Sequence, residues 1–313
     1  MDTRTAPRYG PLAELLAGGD VTVLSGAGLS TESGIPDYRG PSGALRRHTP
    51  MTYQTFVGDP VARRRYWARS HLGWRLMARA APNAGHRAVA ELERRGLLAG
   101  VVTQNVDGLH QAAGARSVIE LHGSLAQVTC LGCGDRTDRE TLDRRLRAAN
   151  PDFTARYDGV NPDGDVALPD AVAERFQVVD CLACPGGLLK PDVVFFGETV
   201  PAERVRACFD LVERARLLLV LGSSLSVMSG RRFVIRAARR DIPVVIVNQG
   251  PTRGDEHASL TIDAPLGEVL PELVRLVGPG RSPGDHDPGR SPGDHGPGRS
   301  PGDYPAATTV LSG

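Results

Sequence analysis

Apolar residues in this chain occur in short unbroken runs, separated by stretches in which they recur every three or four positions. The runs are Val21-Thr22-Val23-Leu24-Ser25, Leu98 to Thr103, Leu217 to Leu221 and Pro243 to Val247. A strand with one wet face alternates apolar and polar residues, whereas runs this uniform belong to strands covered on both faces. They predict a parallel sheet between helical layers. Helical spacing falls between the runs. Pro60 to Ala80 carries Tyr66, Trp67, Trp74 and Leu76, Asn83 can cap a stretch reaching Arg95, Ala202 to Arg214 has helical spacing, and Met228 to Arg240 alternates apolar and arginine positions.

Two regions break the pattern. From Cys130 to Cys184 the chain is polar, rich in Asp, Arg and Pro, and weakly periodic, so it needs a staple to close a core. From Pro279 to Pro305 a nine-residue unit repeats as PGRSPGDHD, PGRSPGDHG and PGRSPGDYP, nearly without apolar side chains. Such a segment cannot offset its ordering entropy and is expected to be disordered and without a catalytic role.

The 313 residues are 41% hydrophobic and 23% charged, enough for one large core and a smaller module. The formal charge is +1, so nothing global steers the chain to nucleic acid or an acidic membrane. No apolar run approaches the roughly 18 residues that a membrane helix needs. The first twenty residues, with Asp2, Arg4, Arg8, Glu14 and Asp20, lack the apolar segment of a signal peptide. A cytoplasmic, monomeric protein is the expectation.

Four of the five cysteines form two Cys-x-x-Cys pairs, Cys130/Cys133 and Cys181/Cys184. In a reducing compartment such pairs favour a metal over disulfides, and four thiolates leave no open coordination position. One structural Zn2+ per chain is therefore expected. Cys208 stands alone in a helical stretch and reads as a buried thiol.

Gly26-Ala27-Gly28 directly after the first run forms the start of a dinucleotide turn, where backbone amides and a helix start receive phosphate oxygens. A hydride-transfer fingerprint would want glycine at position 31, where Thr31 stands. The polar motifs downstream are more informative: Leu29-Ser30-Thr31-Glu32-Ser33-Gly34-Ile35-Pro36-Asp37-Tyr38-Arg39-Gly40, then Thr103-Gln104-Asn105-Val106-Asp107-Gly108-Leu109-His110, His122-Gly123, Gly222-Ser223-Ser224-Leu225 and Val247-Asn248-Gln249-Gly250. Gln104, Asn105 and Asp107 end an apolar strand at its carboxyl edge, where open α/β sheets bind ligands. His122, after the run Ser117 to Leu121, is a neutral-pH base placed beside them.

With these motifs in this order, residues 12–276 resemble the sirtuin family, and their details are similar to its class II branch. The resemblance implies an α/β fold: a Rossmann-like NAD-binding domain over 12–128 and 186–276, with a helical insertion at about 41–82. A small zinc module would fill 129–185, flanked by an extension over 1–11 and the tail from 277. It also implies a reaction in which the acyl oxygen of an acyl-lysine protein substrate attacks the nicotinamide ribose of NAD and nicotinamide leaves. His122 would be the general base and Asn105 would position ribose and water. Asp107 and Val106 would bind the carboxamide, and Ser223, Ser224 and Asn248 the adenosine ribose and phosphates. Gly26, Ala27, Gly28, Ser30, Asp37, Tyr38, Arg39, Gln104, Gly222, Gln249, Gly250 and Leu266 complete the expected NAD contacts. Tyr38 stands where the family commonly has phenylalanine.

Val194, Phe195, Phe196 and Gly197 resemble the segment that pairs with the substrate peptide as an added strand, with Val193 and Phe195 facing the core. Tyr66-Trp67-Ala68-Arg69 resembles the Tyr-x-x-Arg pair that holds an acyl carboxylate, and three-residue spacing puts Tyr66 and Arg69 on one helix face. Two rivals stand beside this reading. A mono-ADP-ribosyltransferase would use the same NAD site, and a zinc-ribbon nucleic-acid module would need a basic surface where Asp135, Asp138, Glu140 and Asp180 lie.

Overall fold

The computed structural model describes residues 8–39, 49–157, 159–278 and 309–312. The apolar runs become the centre of a parallel sheet: β1 (Val21–Ser25), β2 (Leu98–Thr103), β3 (Val118–Glu120), β7 (Leu217–Leu221), β8 (Val244–Val247) and β9 (Leu260–Asp263). Their order is β9-β8-β7-β1-β2-β3, and every neighbouring pair is parallel. The order reverses between β1 and β7, which opens a crevice at the carboxyl ends of those two strands.

Parity along the strands explains why the runs are apolar throughout. Val21, Val23, Leu217, Leu219 and Leu221 face α1 (Gly10–Ala17), α4 (Ala84–Arg94) and α10 (Leu266–Leu276), whose Leu12, Leu16, Val89, Leu92, Leu270 and Leu273 are fully buried. Leu24, Val102, Leu218 and Val220 face the opposite layer, where α8 (Ala202–Glu213) and α9 (Met228–Arg239) supply Cys208, Val212, Phe233 and Val234. Each such side chain contributes about 1.5–3 kcal/mol, so both faces of the sheet are held. Asn83 caps α4 by accepting from the His86 amide at 3.1 Å, and its Nδ2 donates to the Leu29 carbonyl at 2.7 Å. That side chain ties α4 to the loop after β1.

The small module is built differently from the sequence expectation. Its antiparallel sheet, in the order β5-β4-β6, consists of β5 (Arg136–Asp138), β4 (Gly123–Cys130) and β6 (Leu189–Val193). It therefore reaches from 123 to 193, beyond the expected 129–185. Its core is shared with the helical insertion. Tyr66, Trp67, Leu72 and Met77 of α3 (Pro60–Met77) pack with Val128, Leu142, Leu146, Val166 and Phe176 in one cluster. Buried Arg139 of α6 (Arg139–Ala149) lies 5.4 Å from the ring of Trp67 and 5.3 Å from that of Trp74, and donates to the Ser70 carbonyl at 3.1 Å. The weakly apolar segment borrows its missing hydrophobic face from α3.

The repeat, 279–305, and the start of the insertion, 41–48, lie outside the described residues. The last stretch departs from the expectation of an unstructured tail through 313. Thr309–Ser312 forms β10, parallel to β9, with Ser312 opposite Asp263. Five β-prone residues, Thr308 to Ser312, come after the repeat and have the composition of an edge strand.

Candidate active site

The crevice opens into a cavity of about 1130 Å³, large for a small-molecule site and roomy enough for a dinucleotide together with a lysine side chain. Glycines shape its floor. The Gly26 amide donates to the Leu221 carbonyl and the Gly28 amide to the Gly222 carbonyl, both at 2.9 Å. A Cβ on Gly28 would come within 2.9 Å of the Gly222 Cα, and Gly222 itself has φ +60°. Only bare backbone lets these two loops touch. The expected helix start after Gly28 is instead two single 3-10 turns, Ala27–Leu29 and Thr31–Ser33.

Around this floor the polar side chains hold one another. Asn105 Nδ2 donates to the Gly26 carbonyl at 3.0 Å and to Ser30 Oγ at 3.1 Å, while Ser30 Oγ donates to Asp107 Oδ2 at 2.7 Å. The other oxygen of Asp107 accepts from the Leu109 amide. Gln104 Nε2 donates to Ser223 Oγ at 2.8 Å, bridging the ends of β2 and β7. Asn248 folds onto the carbonyls of Gln249 and Gly250, and Asp263 accepts from the Gly250 amide. These groups are preorganised donors and acceptors at a strand-end crevice, and they fit a ribose–diphosphate ligand.

His122 is half-buried, with Nδ1 3.0 Å from the Gln104 carbonyl and Nε2 2.8 Å from Ser229 Oγ. Burial first, and the positive charges of Arg204 and Arg232 after it, hold its pKa below the ordinary imidazole value, against the pull of the Gln104 carbonyl. Burial therefore favours the neutral ring over the protonated one.

The peptide-side wall comes from the residues after β6. Val194 donates its amide to the His122 carbonyl at 2.8 Å, and the Tyr53 amide donates to the Phe196 carbonyl at 2.9 Å. Val193 and Phe195 are buried, as expected. Lys190, the single lysine of the chain, is buried, pairs with Glu198 at 3.0 Å and donates to the Val193 carbonyl, while Glu198 accepts from the Phe195 amide. This knot fixes the segment's turn. Exposed Phe196 sits edge-on to Tyr38 at 6.2 Å across the cleft, and burial raises the Tyr38 phenol well above its usual pKa.

Every residue expected from the sequence to contact cofactor or peptide lines this one cavity, with a single exception. Arg69 does not line it. Its guanidinium turns to Asp170 at 4.0 Å, beside the Arg65–Asp170 pair at 3.1 Å. Tyr66 does line it, from within a ring cluster with Phe56, Trp67 and Phe195. The structure does not bring Tyr66 and Arg69 together at the cavity: Arg69 lies towards Asp170 of α7 (Asp170–Ala173). Sequence reasoning also missed Ser229 and Arg232, which line the cavity from the first turns of α9. Their one visible signal was a polar helix start just after Gly222-Ser223-Ser224-Leu225.

The four cysteines converge. Their sulfurs lie within 4.8 Å of one another, with Cys130 to Cys184 at 3.6 Å and Cys133 to Cys181 at 3.8 Å. A tetrahedral ion with ligands at about 2.3 Å spaces sulfurs by about 3.8 Å, so the set fits zinc and is far from disulfide distance. A Cβ on Gly187 would meet Cys184 Sγ at 2.5 Å, so the knuckle closes only over glycine. The neighbouring sulfur of Cys133, with that of Cys130, pushes the Cys184 thiol up to about 12, as befits thiols crowded where a cation would sit.

The comparisons agree with this geometry. The Sir2 family pattern matches residues 26–229. "NAD-dependent protein deacetylase 1" of Streptomyces coelicolor is 60% identical over 86% of this chain and 89% of its own length. "NAD-dependent protein lipoamidase sirtuin-4, mitochondrial" of Bos taurus is 47% identical over 80% of both chains. A solved Sir2–p53 peptide–NAD+ complex superposes with a TM-score of 0.69 at 32% identity, over 85% of this chain and 97% of that one. On its fold, its cavity and these relatives, the chain belongs to the Sir2 family.

Proposed function

We propose that this protein is an NAD-dependent protein lysine deacetylase or deacylase, which moves the acyl group from lysine to ADP-ribose and releases nicotinamide. The observation that carries the reading is the meeting of His122, Asn105 and Asp107 with the Gly26–Gly28 and Gly222–Ser224 loops in one cavity. The peptide-bearing Sir2 structures support acyl-lysine protein substrates, and the relatives' names favour deacylation over ADP-ribosyl transfer to protein. The likeness to sirtuin-4 supports the class II branch.

When bound, NAD supplies an electrophilic ribose carbon with nicotinamide as leaving group. Asp107, fixed by Ser30, and the backbone of Val106 receive the carboxamide. Asn105 offers its Oδ1 to the ribose side, because its Nδ2 is engaged by Gly26 and Ser30. The 248–250 loop and Ser223–Ser224 take the adenosine end. Neutral His122 takes a hydroxyl proton at Nε2. Val194 to Gly197 hold the peptide, and the aromatic wall of Tyr66 and Phe195 excludes water from the acyl group. Cys130, Cys133, Cys181 and Cys184 would hold the zinc that fixes the module whose β4 and β6 flank His122.

A His122→Ala variant tests this directly. It is expected to fold, bind NAD and lose about 10²–10⁴-fold in nicotinamide release driven by acyl-lysine peptide. Near-normal turnover in that variant refutes the reading.

A further inference from the structure

The catalytic histidine is held at both ring nitrogens. A carbonyl oxygen only accepts hydrogen bonds, so the contact of Nδ1 with the Gln104 carbonyl at 3.0 Å places the neutral ring's hydrogen on Nδ1. Nε2 is then the bare nitrogen, and the Ser229 hydroxyl 2.8 Å away donates to it. The Nδ1–H form is the less favoured tautomer of a free histidine side chain, so it needs partners to hold it.

Packing puts Ser229 there. It is the second residue of α9, and the side chain of Gln104 occupies the space that a Cβ on the next residue, Gly230, would need. The first turn of α9 thus presses on the same residue whose carbonyl holds Nδ1. Ser229 and His122 both line the cavity.

We propose that Ser229 is a positioning residue for deacylation: the Gln104 carbonyl fixes the Nδ1–H tautomer of His122, and the Ser229 hydroxyl, donating to Nε2, holds the ring's orientation until the substrate hydroxyl takes its place at that nitrogen. The proposal rests on the reading of His122 as that base. Both partners belong to the protein's own fold, so they can set the orientation and tautomer of the ring for the reaction.

Nitrogen-15 NMR of the cofactor-free protein reads the tautomer without turnover. The unaltered chain is expected to show His122 protonated at Nδ1 with its Nε2 signal shifted by a donor, Ser229→Ala the same tautomer with Nε2 at its free position, and Ser229→Thr the unaltered pattern. In turnover, Ser229→Ala should lower kcat about two- to tenfold, the worth of one hydrogen bond, with KM for NAD little changed, and Ser229→Thr should restore it. If Ser229→Ala misfolds, Ser229→Cys, of similar size and weak as a donor, is expected to give the same signs. An unaltered Nε2 signal and kcat in the alanine variant overturn the proposal, as does a raised KM for NAD with kcat intact. An active His122→Ala enzyme would sink the deacylase reading itself. An inactive one beside a normal Ser229→Ala removes only the role of Ser229.

Discussion

Nε2 of His110 lies 2.8 Å from the hydroxyl of Ser25, directly behind the glycine floor of the cavity. Ser25 donates onward to Thr103 Oγ1 at 2.9 Å, and Thr103 also accepts from the Asn105 amide at 3.1 Å. This chain props Asn105 from below. It requires His110 to donate from Nε2, and the buried Nδ1 has no acceptor for a second proton. His86 stacks edge-on at 5.2 Å, with its own Nε2 buried and unpartnered.

These two rings make stability depend on pH. Burial above all lowers both His86 and His110 to about 4, against an unfolded value near 6.5. Below pH 6.5 the unfolded chain binds protons that the folded chain refuses. Stability is therefore expected to be full above about pH 6.5 and to fall by a few kcal/mol as pH drops towards 4. Denaturant unfolding at a series of pH values reads this. A flat profile from pH 7 to 5 contradicts it.

Strand positions were legible in the sequence because both faces of the sheet are covered, so β1, β2 and β7 announce themselves as unbroken apolar runs. The two Cys-x-x-Cys pairs and the strand-end polar motifs were legible for the same local reason, since their chemistry lies in consecutive residues. What escaped were relations between distant segments. Nothing near Arg69 shows that Asp170 will face it, and nothing near Cys130 shows that α3 supplies the module's apolar face. Ser229 was hidden because its meaning comes from His122, over a hundred residues away.

The zinc site predicts a coupling between metal and fold. Cys181→Ser is expected to abolish a stoichiometry of about one zinc per chain and to lower soluble yield sharply, because binding and folding of such a site are one event. The shared core with α3 should spread the damage to the insertion. Active protein free of zinc by metal analysis is the outcome against this.

Truncation after Gly278 removes β10 and bares the outer edge of β9. None of the described residues beyond Gly278 lines the cavity, so nicotinamide release should stay within about twofold. Loss of one short edge strand, about 1 kcal/mol, should lower Tm by roughly 2–4 °C in a domain of this size. A large loss of activity with normal Tm would assign the tail a role in the reaction instead.

The acyl preference depends on which charge meets the end of the acyl chain. Arg69 faces Asp170 and does not line the cavity, whereas Tyr66 does. Arg69→Met should therefore leave the ratio of kcat/KM for succinyl- and acetyl-lysine nearly unchanged, with at most about 1 kcal/mol lost in stability from a half-exposed ion pair. A selective collapse of succinyl turnover in Arg69→Met would show that the guanidinium swings back over the cavity when an acid enters it.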